Sequence, residues 1–131
     1  MSSGRAAPGL RAQALRAAHR IADAIAEGCG KNSDYELARF AEIAAGSISE
    51  LLSQLVSARV HRILSREVFK RLWDEAKLLR RRINAFHRVV RRRAELNDTL
   101  AKRRKRSVRK EPKRLIAKKQ KGRRSVDPPV E

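Results

Sequence analysis

The sequence is poor in the residues from which small active sites and metal centres are usually built. Cys29 is the single cysteine among 131 residues, which rules out an intrachain disulfide framework and a multi-thiolate zinc site within one chain. His19, His61 and His87 stand neither three nor four residues from one another or from Cys29, so no pair has the spacing of a helical metal site. Nothing in the sequence sets a histidine beside the thiol as a base, and the expectation is no metal, no cofactor, no catalytic residue and no enzymatic activity. Gly28-Cys29-Gly30-Lys31 fails as a phosphate loop, because Ile25 and Asn32 stand where a glycine and a Ser/Thr are needed. No run approaches the roughly 18 apolar residues of a membrane span, and Met1 to Pro8 is too small and polar for a secretory signal. A cytoplasmic protein with no membrane partner is expected. Period-two alternation and Asn-Gly or Asp-Gly turns are also missing, so no sheet is predicted.

Acidic residues are scarce too. Against 33 Lys and Arg there are 14 Asp and Glu, a formal charge of +19, far more than solubility asks of one small domain. Residues 1–87 hold 15 basic and 9 acidic residues, net +6, and residues 88–131 hold 18 and 5, net +13, which together make the +19. The chain therefore reads as a body and a basic tail, and a polyanion is the economical partner.

What the body does have is helical periodicity. Leu10, Ala14, Ala17/Ala18, Ile21 and Ile25 predict a first helix over about 10–27, stopped where Gly28 and Gly30 are expected to take left-handed backbone. Ser33 followed by Glu36 reads as a capping box opening a second helix, about 34–62. Its stripe is Leu37, Phe40/Ala41, Ala44, Ile48, Leu51, Leu55 and Ala58, widened by Ile43, Ala45, Leu52 and Val56 beyond one neighbour's reach. Ala44, Ala45, Gly46 and Ser47 in its middle predict a close helix–helix crossing, since a helical glycine costs about 1 kcal/mol unless packing offsets it. Ser65, with Glu67 in the first turn, starts a third helix carrying Phe69, Leu72, Ala76, Leu79, Ile83, Phe86 and Val90 to about 95. The predicted organisation is a flexible N-terminus over 1–9, an all-α antiparallel helical bundle over 10–96, and a basic tail over 97–131, disordered or partly helical. Pro112, Gly122, Pro128 and Pro129 punctuate that tail, and its few apolar residues cannot build a core.

Ile21-Ala-Asp-Ala-Ile-Ala-Glu-Gly-Cys-Gly-Lys31, then Ser33, Glu36 and Phe40, then Ile43-Ala-Ala-Gly-Ser-Ile-Ser-Glu-Leu-Leu-Ser-Gln-Leu55, resembles the bacterial four-helix-bundle family of 23S rRNA intervening-sequence proteins. Ile83-Asn84-Ala85-Phe86 resembles a segment of that family's last helix. The resemblance covers about 80 residues; Ala22 and Ala24 stand where the family usually has Pro and Asn, the family's first helix has no counterpart, and the tail after Arg88 is an extension. It implies an antiparallel bundle that assembles into a ring-like homopentamer. It also implies kinship with the accessory variability protein of diversity-generating retroelements, which binds a reverse transcriptase and nucleic acid. Gly28, Phe40, Gly46, Ser47, Glu50, Gln54 and Leu55 are the expected packing and subunit-contact residues, with Glu27, Glu50 and Gln54 read as capping or contact groups rather than a carboxylate site.

The expected nucleic-acid-binding residues are Lys77, Arg80, Arg81, Arg82, Arg88, Arg91, Arg92 and Arg93 on the third helix, with Lys102, Arg103, Arg104, Lys105, Arg106, Arg109, Lys110, Lys113 and Arg114 beyond it. Lys118-Lys119 and Arg123-Arg124 extend the series. Such residues hold phosphates without reading bases, and no zinc finger or RNP motif is present. The leading expectation is an oligomeric helical scaffold for RNA or DNA. A retroelement accessory role, with a reverse transcriptase and template RNA as partners, and a protein-only assembly module are the alternatives.

Overall fold

The computed structural model describes residues 6–123, all of whose regular structure is helical: α1 (Ala6–Cys29), α2 (Asp34–Val60) and α3 (Arg66–Arg123). Residues 1–5, most of the expected flexible N-terminus, and Arg124, Pro128 and Pro129 lie outside the described residues. Residues 6–9 belong to α1. The chain divides into two compact units, Met1–Ala94 and Glu95–Glu131.

In the first unit α1 and α2 run in opposite directions, as Gly28 against Phe40 and Arg20 against Glu50 show. Their backbones approach within 8 Å. The reason is side-chain size. Ala17, Ile21 and Ala24 of α1 are buried together with Phe40, Ala41, Ala44, Ser47 and Ile48 of α2, and methyl-sized groups let two helices close in. Ile21, Ala24, Phe40, Ala41, Ala44, Ile48 and Leu52 form one core with Ala76 and Ile83 of α3, against which Trp73 packs. Ile48 is completely enclosed, worth roughly 1.5–3 kcal/mol of apolar burial.

The crossing differs from its expected form at two glycines. Gly46 is exposed, with nothing within 4 Å of a would-be Cβ, so Ala44 and Ser47 make the small-residue contact and Gly46 lies on the outer face. Gly28 does not adopt left-handed backbone, and neither does any other described glycine. It is a helical residue held by close approach: a Cβ there would stand 2.7 Å from Phe40 Cβ and 3.2 Å from Leu37 Cδ1. α1 ends instead through tightened turns, with the Gly30 N–H donating to the Ala26 and Glu27 carbonyls at 3.2 and 3.1 Å.

Ser33 occupies the N-cap of α2 in extended backbone and its carbonyl accepts from the Leu37 N–H at 3.0 Å, but its side chain makes no cap hydrogen bond. The expected capping box is therefore not formed: Glu36 turns forward to Arg39 at 3.7 Å. Asp34 instead puts a carboxylate in the first turn, where the helix dipole favours it. Ser65 does cap α3, its hydroxyl accepting from the Val68 N–H at 3.2 Å. The left-handed position that sequence assigned to glycine occurs at Arg62, φ 58°, past the end of α2. There the Ile63 N–H reaches the Ala58 carbonyl at 2.8 Å and the Arg62 N–H the Arg59 carbonyl at 3.0 Å, the paired bonds of a Schellman end.

α3 does not stop near residue 95; it continues to Arg123 through Pro112. Its interior between Ala94 and Pro112 contains no glycine or proline, and Lys, Arg and Leu are good helix formers, so nothing local ends the helix. In the first unit the buried α3 face is Ala76, Ile83, Val90 and Ala94, while Leu79 and Phe86, expected on the same stripe, remain about 40% exposed.

Two substitutions test this account. Gly28→Ala is expected to lower unfolding stability in urea by about 1–3 kcal/mol, because the opposing atom is the Phe40 Cβ, fixed to backbone and unable to swing away. Arg62→Gly is expected to raise it by about 0.5–1 kcal/mol, by relieving a left-handed side-chain residue.

Candidate nucleic-acid interface

The basic residues fall into three structural situations. Arg93 is committed within the fold: its guanidinium forks onto Asp34, with Nε donating to Oδ2 at 2.9 Å and Nη2 donating to Oδ1. The hydrogen bond to Asp34, and then its charge, raise the Arg93 pKa above the usual arginine value, against a smaller lowering by desolvation. This residue, expected to bind phosphate, instead ties α3 to the start of α2.

The second group lines α3 in the first unit. Lys77, Arg81, Arg88 and Arg92, spaced by four and seven, sit on the helix face away from Ala76, Ile83 and Val90, and all are exposed. Arg91 shares this exposed side, Arg80 is half-buried beside it, and Arg82 lies on the flank with Leu78 and Val89. Lys77 Nζ stands 6.0 Å from the Trp73 ring centroid, within cation–π range, which fixes the origin of the ridge.

The third group is in the second unit, where Thr99 to Gly122 are exposed at every position. Lys102, Arg106, Arg109 and Lys113 follow one line along the helix; Arg103, Lys110 and Arg114 flank it on one side and Lys105 on the other. Lys102 is bridged to Asp98 at 2.7 Å. Arg104, Lys118 and Lys119 lie on the opposite half of the helix with Leu100, Ala101, Val108, Glu111 and Leu115. This sidedness was not read from the sequence, although the positions alone carry it once the helix is known to continue.

Of the expected packing residues, Phe40, Ser47 and Leu55 are buried, as is Gly28. Gln54 is half-buried and Glu50 exposed, the latter paired with Arg20 at 3.3 Å; Glu27 pairs with Lys31 at 3.6 Å. Cys29 is exposed and in no disulfide. Among the described residues no three His, Cys, Asp or Glu side chains gather as a metal site, and no helix is long and apolar enough to cross a membrane.

A second surface was not anticipated as a unit. Leu10, Ala14 and Leu15 of α1, Leu51 and Leu55 of α2, Ile63 and Leu64 of the turn, and Leu72 and Leu79 of α3 line an open apolar groove of about 530 Å³. Arg11, Gln54 and Glu75 supply its polar edge.

One family's sequence model, described as 23S rRNA-intervening sequence protein, matches residues 4–85. Among curated proteins and among solved structures nothing matches the chain.

The second unit is also electrostatically loaded against itself. Lys102/Arg106, Lys105/Arg109, Arg106/Lys110, Arg109/Lys113 and Lys110/Arg114 are like charges one turn apart, each opposing the helix by about 0.2–0.5 kcal/mol. Far-UV circular dichroism should therefore show helix content rising with sodium chloride from about 10 mM to 0.5 M, as the screening length contracts below one helical turn. A truncation after residue 94 should lose that salt response.

Proposed function

Because the chain belongs to the 23S rRNA-intervening sequence protein family, we propose that it is a non-enzymatic helical scaffold. Its first unit forms an antiparallel bundle that self-associates, and its α3 cations hold RNA or DNA by the phosphates. The observation that carries this reading is the run of Lys and Arg on α3 beyond Thr99, exposed at every position to Gly122, with no aromatic residue after Phe86. Guanidinium and ammonium groups without stacking partners hold a charged backbone and leave base identity largely unread.

Self-association is supported by surface that the three helices leave uncovered. Apart from the apolar groove, α3 exposes further apolar side chains, among them Phe86 and Val89, the latter 67% exposed. Contiguous apolar surface of this kind on a small soluble domain marks a protein contact. In an oligomer the cationic helices are repeated, so a long polyanion is held by effective concentration as well as by each contact.

Fluorescence anisotropy with labelled nucleic acid across a salt series tests the binding. Affinity should fall steeply with salt, and joint replacement of Arg106, Arg109, Lys110 and Lys113 by Ala should flatten the log–log slope by roughly 3. Salt-independent binding, or none, defeats the proposal. For assembly, Leu79→Glu places a charge in the groove and should lower the mass measured by light scattering while helicity is retained; an unchanged mass removes self-association through that surface.

A further inference from the structure

We infer that the helix of the second unit is shaped for the major groove of a B-form duplex, not for a single strand or an A-form RNA duplex. This inference rests on the nucleic-acid reading above and specifies its substrate.

Three observations converge. The first is sidedness: Arg106, Arg109 and Lys113 make a central line, with Arg103 and Lys110 on one flank and Lys105 on the other. A cylinder carrying most of its cations over about half its circumference meets both phosphate walls of a groove at once, while the half bearing Leu100, Val108 and Leu115, with Arg104, Lys118 and Lys119, faces out. A single strand needs only one line of contacts and gains from aromatic platforms, and none of the residues beyond Phe86 is aromatic.

The second is size. An α-helix with its side chains is about 10–12 Å across and the B-form major groove about 12 Å wide. The A-form major groove is deep and too narrow for such an element. From Lys102 to Lys121 the helix rises about 29 Å, close to the 34 Å of one duplex turn.

The third is the position of Pro112. It lies in α3, midway along the cationic segment, on the flank between Lys105 and Val108. Proline has no N–H for the Val108 carbonyl and its ring crowds that oxygen, which opens a helix on that flank. A bend of this kind makes the flank carrying Arg103, Lys110 and Arg114 the concave one, as a helix following a curved groove requires.

The experiment compares the full chain with three labelled probes at about 150 mM salt: a DNA duplex of about 20 base pairs, the RNA duplex of the same sequence, and one DNA strand alone. The DNA duplex should bind at least about 10-fold tighter than either alternative, and a major-groove ligand such as methyl green should compete where the minor-groove ligand netropsin does not. Pro112→Ala should raise the helix content of the free chain yet weaken duplex binding by about 3-fold or more, a combination that an unshaped charge tether does not produce. Equal or tighter binding to the single strand or the RNA duplex, netropsin competition, or undiminished binding by Pro112→Ala overturns the groove fit while leaving the nucleic-acid reading intact. Failure of all three probes to bind overturns both, and binding to anionic vesicles alone points to a membrane surface instead.

Discussion

The contact between Gly28 and Phe40 governs how the first unit is assembled. Phe40 is the large residue at the crossing of α1 and α2, and it can reach the core only because the opposing position on α1 carries no side chain. With that seat made, Ala17 and Ala24 on one helix and Ala41 and Ala44 on the other can pack nearly backbone to backbone. Lys31 and Arg39 then stand 5.5 and 5.1 Å from the Phe40 ring centroid, so the same ring anchors the cations at the turn. A helix pair this close gains many small dispersion contacts but encloses little volume.

That economy of volume determines what happens to α3. An alanine-lined pair offers α3 a shallow surface, and α3 meets it mainly through Ala76, Ile83, Val90 and Ala94, with Trp73 and Phe69 stacked 5.5 Å apart near its start. Leu72 and Leu79 project past this narrow seam into the groove beside α1, and Phe86 and Val89 remain at the surface. The Arg93–Asp34 fork pins the far end of the same seam. The groove is thus the direct complement of the tight α1–α2 contact: leucines numerous enough for a further layer, over a core too thin to absorb them.

The legible parts of the fold were those fixed by local pattern. Period 3–4 in the apolar residues gave three helices, and Ser65 capped where its spacing to an apolar run said it should. The first helix ends next to Gly28, at Cys29, as its sequence suggests, but without left-handed glycine backbone: glycine before a polar turn carries the same signal whether it supplies that φ or room for a neighbour, and only the partner, twelve residues away, distinguishes them. Ser33 and Glu36 matched a capping box, but Arg39 offered the carboxylate a better-charged partner one turn on. For the basic surface, the residues were legible and their grouping was not. Arg93 looks like its neighbours in sequence, yet an acid 59 positions away takes it out of the exposed set.

The end of α3 was hidden for a physical reason that also bears on its use. Charge density and the lack of apolar residues argue against a core, and a segment without a core is ordinarily read as unstructured. A helix, however, satisfies its own backbone, and Lys, Arg and Leu are intrinsically favourable in it, so it needs no core if repulsion between like charges is held in check. Asp98, bridged to Lys102, relieves that repulsion at the start of the second unit, and Glu111 is the single carboxylate within the run from Lys102 to Lys121. The remaining charge has to be neutralised from outside. A duplex presents about one negative charge per 1.7 Å of axis, roughly 17 over the 29 Å of this segment, enough to offset its twelve Lys and Arg. On the nucleic-acid reading proposed above, the same cations that oppose the helix in isolation would favour it on a polyanion, and binding and consolidation of the helix would be one equilibrium. The tight, nearly neutral α1–α2 contact would take no part in that equilibrium, so the self-association proposed for the first unit would survive salt concentrations that release a polyanion from the second.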